Sequence, residues 1–326
     1  MNIKILKKLK GGSLSKTIVI KKNNKKYVRK LIDIENNREY GFYRWYSQLK
    51  KLQRLNSLFP KIFPKVLSSG IINKDYYFDI EYFEKSKNCY EYLSNEKNEK
   101  KIILLLNRIL INLKKINELN YSSISGSQNI YFKEEIKRRI TILRLDQKSK
   151  KFLRYKYFDL NGQLIKNSIN KILFWLDNNK LNFSLPKESY THGNLTLENI
   201  LYISNSKKII FIDPYEENFI DSHYQEISQL LQSCNSNYET LCKARLTIKK
   251  NIIKSNYTIP EGVKIFNKNL DIYIKSKYTK NEIKIIKFYE MAQFIRMLPF
   301  KLQTNSNSAK LFVVIAMKIF NEDIDV

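Results

Sequence analysis

Thr191 to Pro214 reads T-H-G-N-L-T-L-E-N-I-L-Y, a polar turn across Ser204 to Lys208, and then I-I-F-I-D-P. The first half is a loop that presents His192, Asn194 and Asn199. Leu201 to Ile203 has the composition of a short strand, Asn205-Ser206 suits a turn, and Ile209 to Ile212 makes a buried strand ending on Asp213. Such a hairpin delivers two oxygen-bearing side chains, Asn199 and Asp213, to the same end. One or two protein oxygens, with the rest from water and phosphate, is the ligand set Mg²⁺ ordinarily takes.

The stretch resembles the catalytic loop and metal-binding Asp of the aminoglycoside phosphotransferase and choline kinase group, within the protein-kinase-like superfamily. The pattern there is H-G-D-x-x-x-x-N followed by two apolar residues and D-P. The resemblance implies that Asn199 and Asp213 are metal ligands, that His192 braces the loop, and that ATP and Mg²⁺ are the cofactors. Asn194 stands where the group carries its catalytic Asp. An amide accepts a hydrogen bond through its oxygen but is not a useful base at neutral pH. The chemistry implied is phosphoryl transfer to a hydroxyl of a small molecule, with base catalysis impaired or altered at Asn194. The alternative is a nucleotide-binding pseudokinase with a regulatory or scaffold role.

The elements that must position these residues come first in the chain. Gly11-Gly12 lies between two β-compatible runs, with Ser13 and Ser15 beside it. A glycine pair there lets backbone N–H groups turn in around an anion; an ordinary hairpin turn is the plain alternative. In K-K-Y-V-R-K-L-I, alternation puts Val28 and Lys30 on one face and Tyr27 and Arg29 on the other. Lys30 resembles the phosphate-pairing Lys of kinase-like enzymes, with Arg29 the alternative if the strand is turned over. A helix from about Ile34 to Leu58 places Phe42, Tyr43, Tyr46 and Leu49 inward, and Glu39 either on that face as the partner of Lys30 or at the solvated first turn. A strand from Tyr76 to Phe83 ends at Glu81 to Glu84, the position of a hinge that would read an adenine edge.

Asn98 to Leu119 is a strongly amphipathic helix with Ile102, Leu105, Leu106, Ile109, Leu113 and Ile116 in one stripe. Residues 121–186 hold a helix with Arg138, Arg139 and Arg144, a hairpin at Asn161-Gly162 and a helix through Trp175. A substrate-binding insert at this point resembles the layout of phosphotransferase-like proteins encoded with bacterial surface-polysaccharide genes. The three Arg suit an anionic acceptor as well as a solvated helix face. Asp221 and Glu226 resemble acids that brace the catalytic loop, and His223 reads as surface. From Asn251 onward the chain reads as helical. Its F-I-R-M-L-P-F-K-L-Q resembles the M-L-P-L-H turn of the polysaccharide-linked proteins, with Lys301 in place of the His.

These readings combine to an α+β, protein-kinase-like, two-lobed fold. Residues 1–84 form a small antiparallel-sheet lobe and residues 85–326 a larger, mainly helical one. The net charge is +28, which attracts anions, but Lys is spread along the whole chain rather than gathered into an arm. No specific nucleic-acid partner is expected; peripheral contact with an anionic membrane is compatible with the charge. Three cysteines without a C-x-x-C pair and only two His argue against zinc and for free thiols in a reducing compartment. No apolar run is long enough for a transmembrane segment, and a cytoplasmic location is expected.

Overall fold

The computed structural model describes residues 3–9, 15–33, 38–122, 126–178, 188–215 and 221–325. The sheet lobe is built from two tight hairpins. Asn23 and Asn24 both take positive φ (49° and 60°), as do Asn73 and Lys74 (47° and 70°). Two consecutive left-handed residues give the turn whose twist matches that of paired strands. They join β2 (Lys16–Lys22) to β3 (Lys25–Asp33) and β4 (Val66–Ile72) to β5 (Asp75–Glu81). With β1 (Lys4–Leu9), the antiparallel order is β1-β2-β3-β5-β4.

Pairing of β3 with β5 sets Val28, Lys30 and Ile32 opposite Ile80, Phe78 and Tyr76, and Arg29 opposite Asp79. Arg29 is therefore not free to replace Lys30. Its Nε and Nη2 each donate to Asp79 at 2.7 Å, and both residues are buried. Ser68 Oγ adds a donor at 2.9 Å, and the guanidinium lies 4.2 Å from the Tyr77 ring centre. A buried charge pair with both ends bonded in this way ties three strands together.

Helix α1 (Arg38–Leu58) presents a different face from the one the aromatic residues suggest. Trp45, Gln48, Leu49, Leu52 and Leu55 are buried, whereas Phe42, Tyr43 and Tyr46 are exposed. The inward stripe is set by the leucines and includes a glutamine, which apolar periodicity discounts. Trp45 packs on Tyr76 and Phe78, with ring centres 5.1 and 6.4 Å away.

Two compact units result: Met1–Tyr92 with His192–Asn218, and Leu93–Thr191 with Phe219–Val326. The first therefore contains the hairpin of Ile200–Ile203 and Lys208–Phe211, extended by Ser86–Asn88 into a three-stranded sheet.

In the second unit, helix Glu99–Asn117 buries the whole expected stripe from Ile102 to Ile116, and Asn98 caps it by accepting from Lys101 N. Asn161 and Gly162 have φ of 52° and 89° and turn the expected hairpin, Tyr157–Leu160 with Gln163–Lys166. That hairpin is half of a four-stranded sheet completed by Arg245–Lys249 and Ile252–Asn256. The second of these corrects the helical reading from Asn251 onward. Ile252–Asn256 alternates exposed and buried residues along its length, a signature too short to stand out beside the helices that follow. Helix Ser306–Ile319 is buried along most of its length. Among the described residues no helix is long and apolar enough to cross a membrane.

Candidate functional site

The loop at 192–199 is fixed by backbone bonds that its own side chains make. His192 is fully buried between Phe63 and Phe211, with ring centres about 6 Å from each. Its Nδ1 accepts from the Asn194 N–H at 3.2 Å, so Nε2 carries the proton and donates to Ile212 O at 2.8 Å. Burial is the main reason its pKa falls to about 3; the bond to Ile212 O opposes the shift. The ring is thus a neutral strut joining the loop to the strand before Asp213.

Gly193, at φ 82°, makes the reversal that lets one imidazole reach both. Asn194 O then accepts twice, from Thr196 N at 2.9 Å and from Asn199 Nδ2 at 2.8 Å. Holding Asn199 by its nitrogen leaves its Oδ1 without a hydrogen bond among the described residues. Ile212 N donates to Asn199 O at 2.9 Å, which sets Asn199 level with Ile212, one residue before Asp213. Phe211 N bonds Ile62 O at 2.8 Å and anchors the hairpin to the connection between α1 and β4.

Asp213 has φ of 58°, a left-handed conformation that Asp tolerates better than most residues. Its Oδ1 accepts from Lys30 Nζ and from Gln48 Nε2. Gln48 Oε1 accepts from Lys30 Nζ at 2.7 Å, and Gln48 Nε2 also donates to Pro214 O at 2.9 Å. Lysine only donates and Asp213 and Pro214 O only accept, so one orientation of the amide satisfies all of them. Burial pushes the Asp213 carboxyl up, but Lys30, Gln48 and Arg44 together outweigh it and hold the group below its usual range. Oδ2 carries no hydrogen bond among the described residues. Lys51 Nζ caps the strand exit on Tyr215 O at 2.5 Å.

Gln48 is the residue that sequence reasoning missed. It stands against Lys30 where Glu39 was expected. Glu39 falls in the first turn of α1, its side chain outside the described residues. Nine residues of helix separate the two, about 13 Å along the axis. Gln48 could have been found only as a polar residue in register with Trp45, Leu49, Leu52 and Leu55.

Gly11, Gly12 and Ser13 lie outside the described residues; Ser15 is half-buried just before β2. Glu81 is held within the sheet: its N–H donates to Lys65 O at 3.2 Å and its Oε2 accepts from Lys65 N at 2.8 Å.

In the second unit Asp221 accepts from Thr191 Oγ1, bracing the residue before His192, and Glu226 is fully buried. His223 is not a surface residue. It lies half-buried with its ring centre 4.0 Å from Tyr224 and 6.0 Å from Tyr278, and burial lowers its pKa to about 4. Lys301 Nζ sits 5.1 Å from the ring centre of Phe312.

No protein-family model matches the sequence, and a search of the curated proteins finds no match. Solved structures do match. A thermostable variant of aminoglycoside phosphotransferase APH(4)-Ia, in a ternary complex with AMP-PNP and hygromycin B, aligns with a TM-score of 0.61 and 10% identity, over 98% of this chain and 94% of that one. A GDP complex of an aminoglycoside 2'-phosphotransferase-IIIa variant gives 0.53 and 12%, over 99% and 91%. Spectinomycin phosphotransferase APH(9)-Ia with ADP and spectinomycin gives 0.52 and 12%, over 97% and 92%. The chain has the protein-kinase-like fold of the aminoglycoside phosphotransferases, an antiparallel-sheet lobe followed by a helical one.

Proposed function

We propose that the chain binds Mg-ATP and transfers its γ-phosphoryl group to a hydroxyl of a small molecule, a sugar or surface-polysaccharide precursor. The observation that carries this reading is the Lys30–Gln48–Asp213 cluster, within one unit with the His192–Asn199 loop. Asn199 Oδ1 and Asp213 Oδ2 are two hard oxygens left unbonded among the described residues, and a donor set of that kind fits Mg²⁺. When bound, Mg-ATP supplies a phosphoryl group whose charge the metal and a lysine neutralise.

The chain's own residues then have separable tasks. Lys30 is the cation for the phosphates and gives up its bond to Asp213 to serve them. Gln48 keeps Lys30 and Asp213 aligned. His192 stays neutral and rigid, taking up no second proton at working pH. Asn194 accepts a hydrogen bond from the acceptor hydroxyl and orients it without removing its proton. The Gly11-Gly12 loop with Ser13 and Ser15 closes over the phosphates. With the N–H of Glu81 engaged in the sheet, the backbone just beyond it, at Tyr82, is the group to meet the base.

Calorimetric titration with ATP, with and without Mg²⁺, tests the reading. Saturable binding that requires Mg²⁺ is expected, and is lost in Asp213→Ala. No binding at millimolar nucleotide overturns it. Asn194 also favours a second reading, a nucleotide-binding pseudokinase with a regulatory or scaffold role. No turnover of any acceptor in either the native chain or Asn194→Asp, with nucleotide binding intact, is the result that selects it.

A further inference from the structure

Of the three arginines that the sequence offers for an anionic group, two are already committed. Arg138 makes a two-point pair with Glu135 at 2.8 Å, and Arg139 bonds Arg296 O at 2.7 Å with Glu135 at 3.4 Å. Arg144 differs. Its Nη2 donates to Asn170 Oδ1, a neutral acceptor that orients the guanidinium without cancelling its charge.

Arg144 lines a concave pocket of about 460 Å³ within the second unit, together with Lys150, Arg154, Lys156, Asn167 and Asn170. Four of the lining residues are cations. Among the described residues no Asp or Glu lines the pocket, and none of the four cations is in an ion pair. Asn167 Nδ2 donates to Leu153 O and Tyr155 O at 2.8 and 2.9 Å, and its Oδ1 accepts from Ile169 N at 3.2 Å. Asn167 thereby fixes the turn that carries Arg154 and Lys156 against the start of helix Ile169–Asn178. Like charges lining one pocket repel one another, and an anion among them relieves that cost. Arginine is the scarce cation of this lysine-rich chain, yet two arginines meet here, and their planar forks suit phosphate oxygens.

We propose that this pocket is a phosphate-binding site for a small phosphorylated molecule. It shares no residue with the Lys30–Asp213 cluster and stands whether or not the chain turns over ATP. Its volume suits a monosaccharide phosphate or diphosphate better than a single inorganic ion.

The test is calorimetric titration of the full chain with inorganic pyrophosphate in Mg²⁺-free buffer. The variants are Arg154→Gln/Lys156→Gln, both exposed positions, and separately Arg144→Gln, each checked for an unchanged thermal melt. Saturable binding is expected, weakened at least tenfold in the double variant. The component of binding lost in the double variant is expected to persist in Lys30→Met, which separates this site from the nucleotide reading. Lys264→Gln/Lys275→Gln removes two charges elsewhere and is the control for net charge. Absent binding, or equal losses in the pocket and control variants, overturns the proposal. Pelleting with phosphatidic acid vesicles, competed by pyrophosphate, would identify a lipid headgroup as the source of the phosphate. Pyrophosphate binding without pelleting would identify a soluble ligand. Either result supports the site.

Discussion

An amide placed between a lysine and an aspartate can be satisfied in only one orientation, and Gln48 is held in it by three partners. A glutamate there would set a carboxylate oxygen where Nε2 now lies 2.6 Å from Asp213 Oδ1. Gln48→Leu keeps the volume and removes the bridge, leaving Pro214 O without its donor. Loss of a buried donor of this kind costs about 1–3 kcal/mol. The expected outcomes are an unfolding free energy lower by that amount, seen as a lower denaturant midpoint, and Mg-ATP binding weakened about tenfold, or 1.4 kcal/mol. Calorimetry on the folded variant reads the second directly. Asn194 is a separate matter, because among the described residues no hydrogen bond uses its side chain; the backbone N–H and carbonyl make the contacts. Asn194→Asp is therefore expected to leave nucleotide affinity unchanged and raise phosphoryl transfer by about 10²–10⁴-fold, the usual size of a general-base contribution. A coupled ADP-release assay with a panel of sugar acceptors measures it. That His192, Asn199 and Asp213 share one loop and hairpin could be read from the sequence, because they fall within one short stretch. Gln48 could not, because its acceptor lies 165 positions away and no local pattern marks such a pair.

At the level of elements, most strands and helices follow from turn chemistry and periodicity. Asn161-Gly162 set its hairpin, and the stripe from Ile102 to Ile116 set its helix. Helix α1 was misread at its face, not its existence. Aromatic residues dominate any apolar count, yet Tyr43 is 57% exposed while Leu52 is 2% exposed. The two readings make opposite predictions. Leu52→Ala is expected to destabilise the chain by about 2–5 kcal/mol, the range for emptying a buried leucine site. Tyr43→Ala is expected to stay within about 0.5 kcal/mol of the parent. Urea unfolding of both variants decides the matter, and comparable losses would restore the aromatic face. Strand Ile252–Asn256 was missed for another reason. Five residues of alternation carry little signal, and its partners, Arg245–Lys249 and Tyr157–Leu160, include one paired 93 positions earlier.

For the molecule as a whole, the chain has one histidine in each unit, and both have lowered pKa values. His192, with a value of about 3, belongs to the first unit, and His223, at about 4, to the second. Burial disfavours the charged ring in both. The unfolded chain takes up these protons near pH 6.5 and the folded chain does not. Between pH 6.5 and the folded values the unfolded state therefore binds more protons, so stability rises with pH. It is complete above about pH 6.5 and falls on acidification at about 1.4 kcal/mol per pH unit for each histidine. Thermal melts from pH 4.5 to 7.5 are expected to show a slope that His192→Gln and His223→Gln each reduce by about one proton's worth, whatever each variant does to stability at pH 7.5. If the two units unfold together, both variants flatten the same transition. If they unfold separately, each flattens its own, and the transition that answers to His192 is also the one that Mg-ATP is expected to raise. A melt whose pH slope ignores both substitutions would show that neither ring is buried in its neutral form.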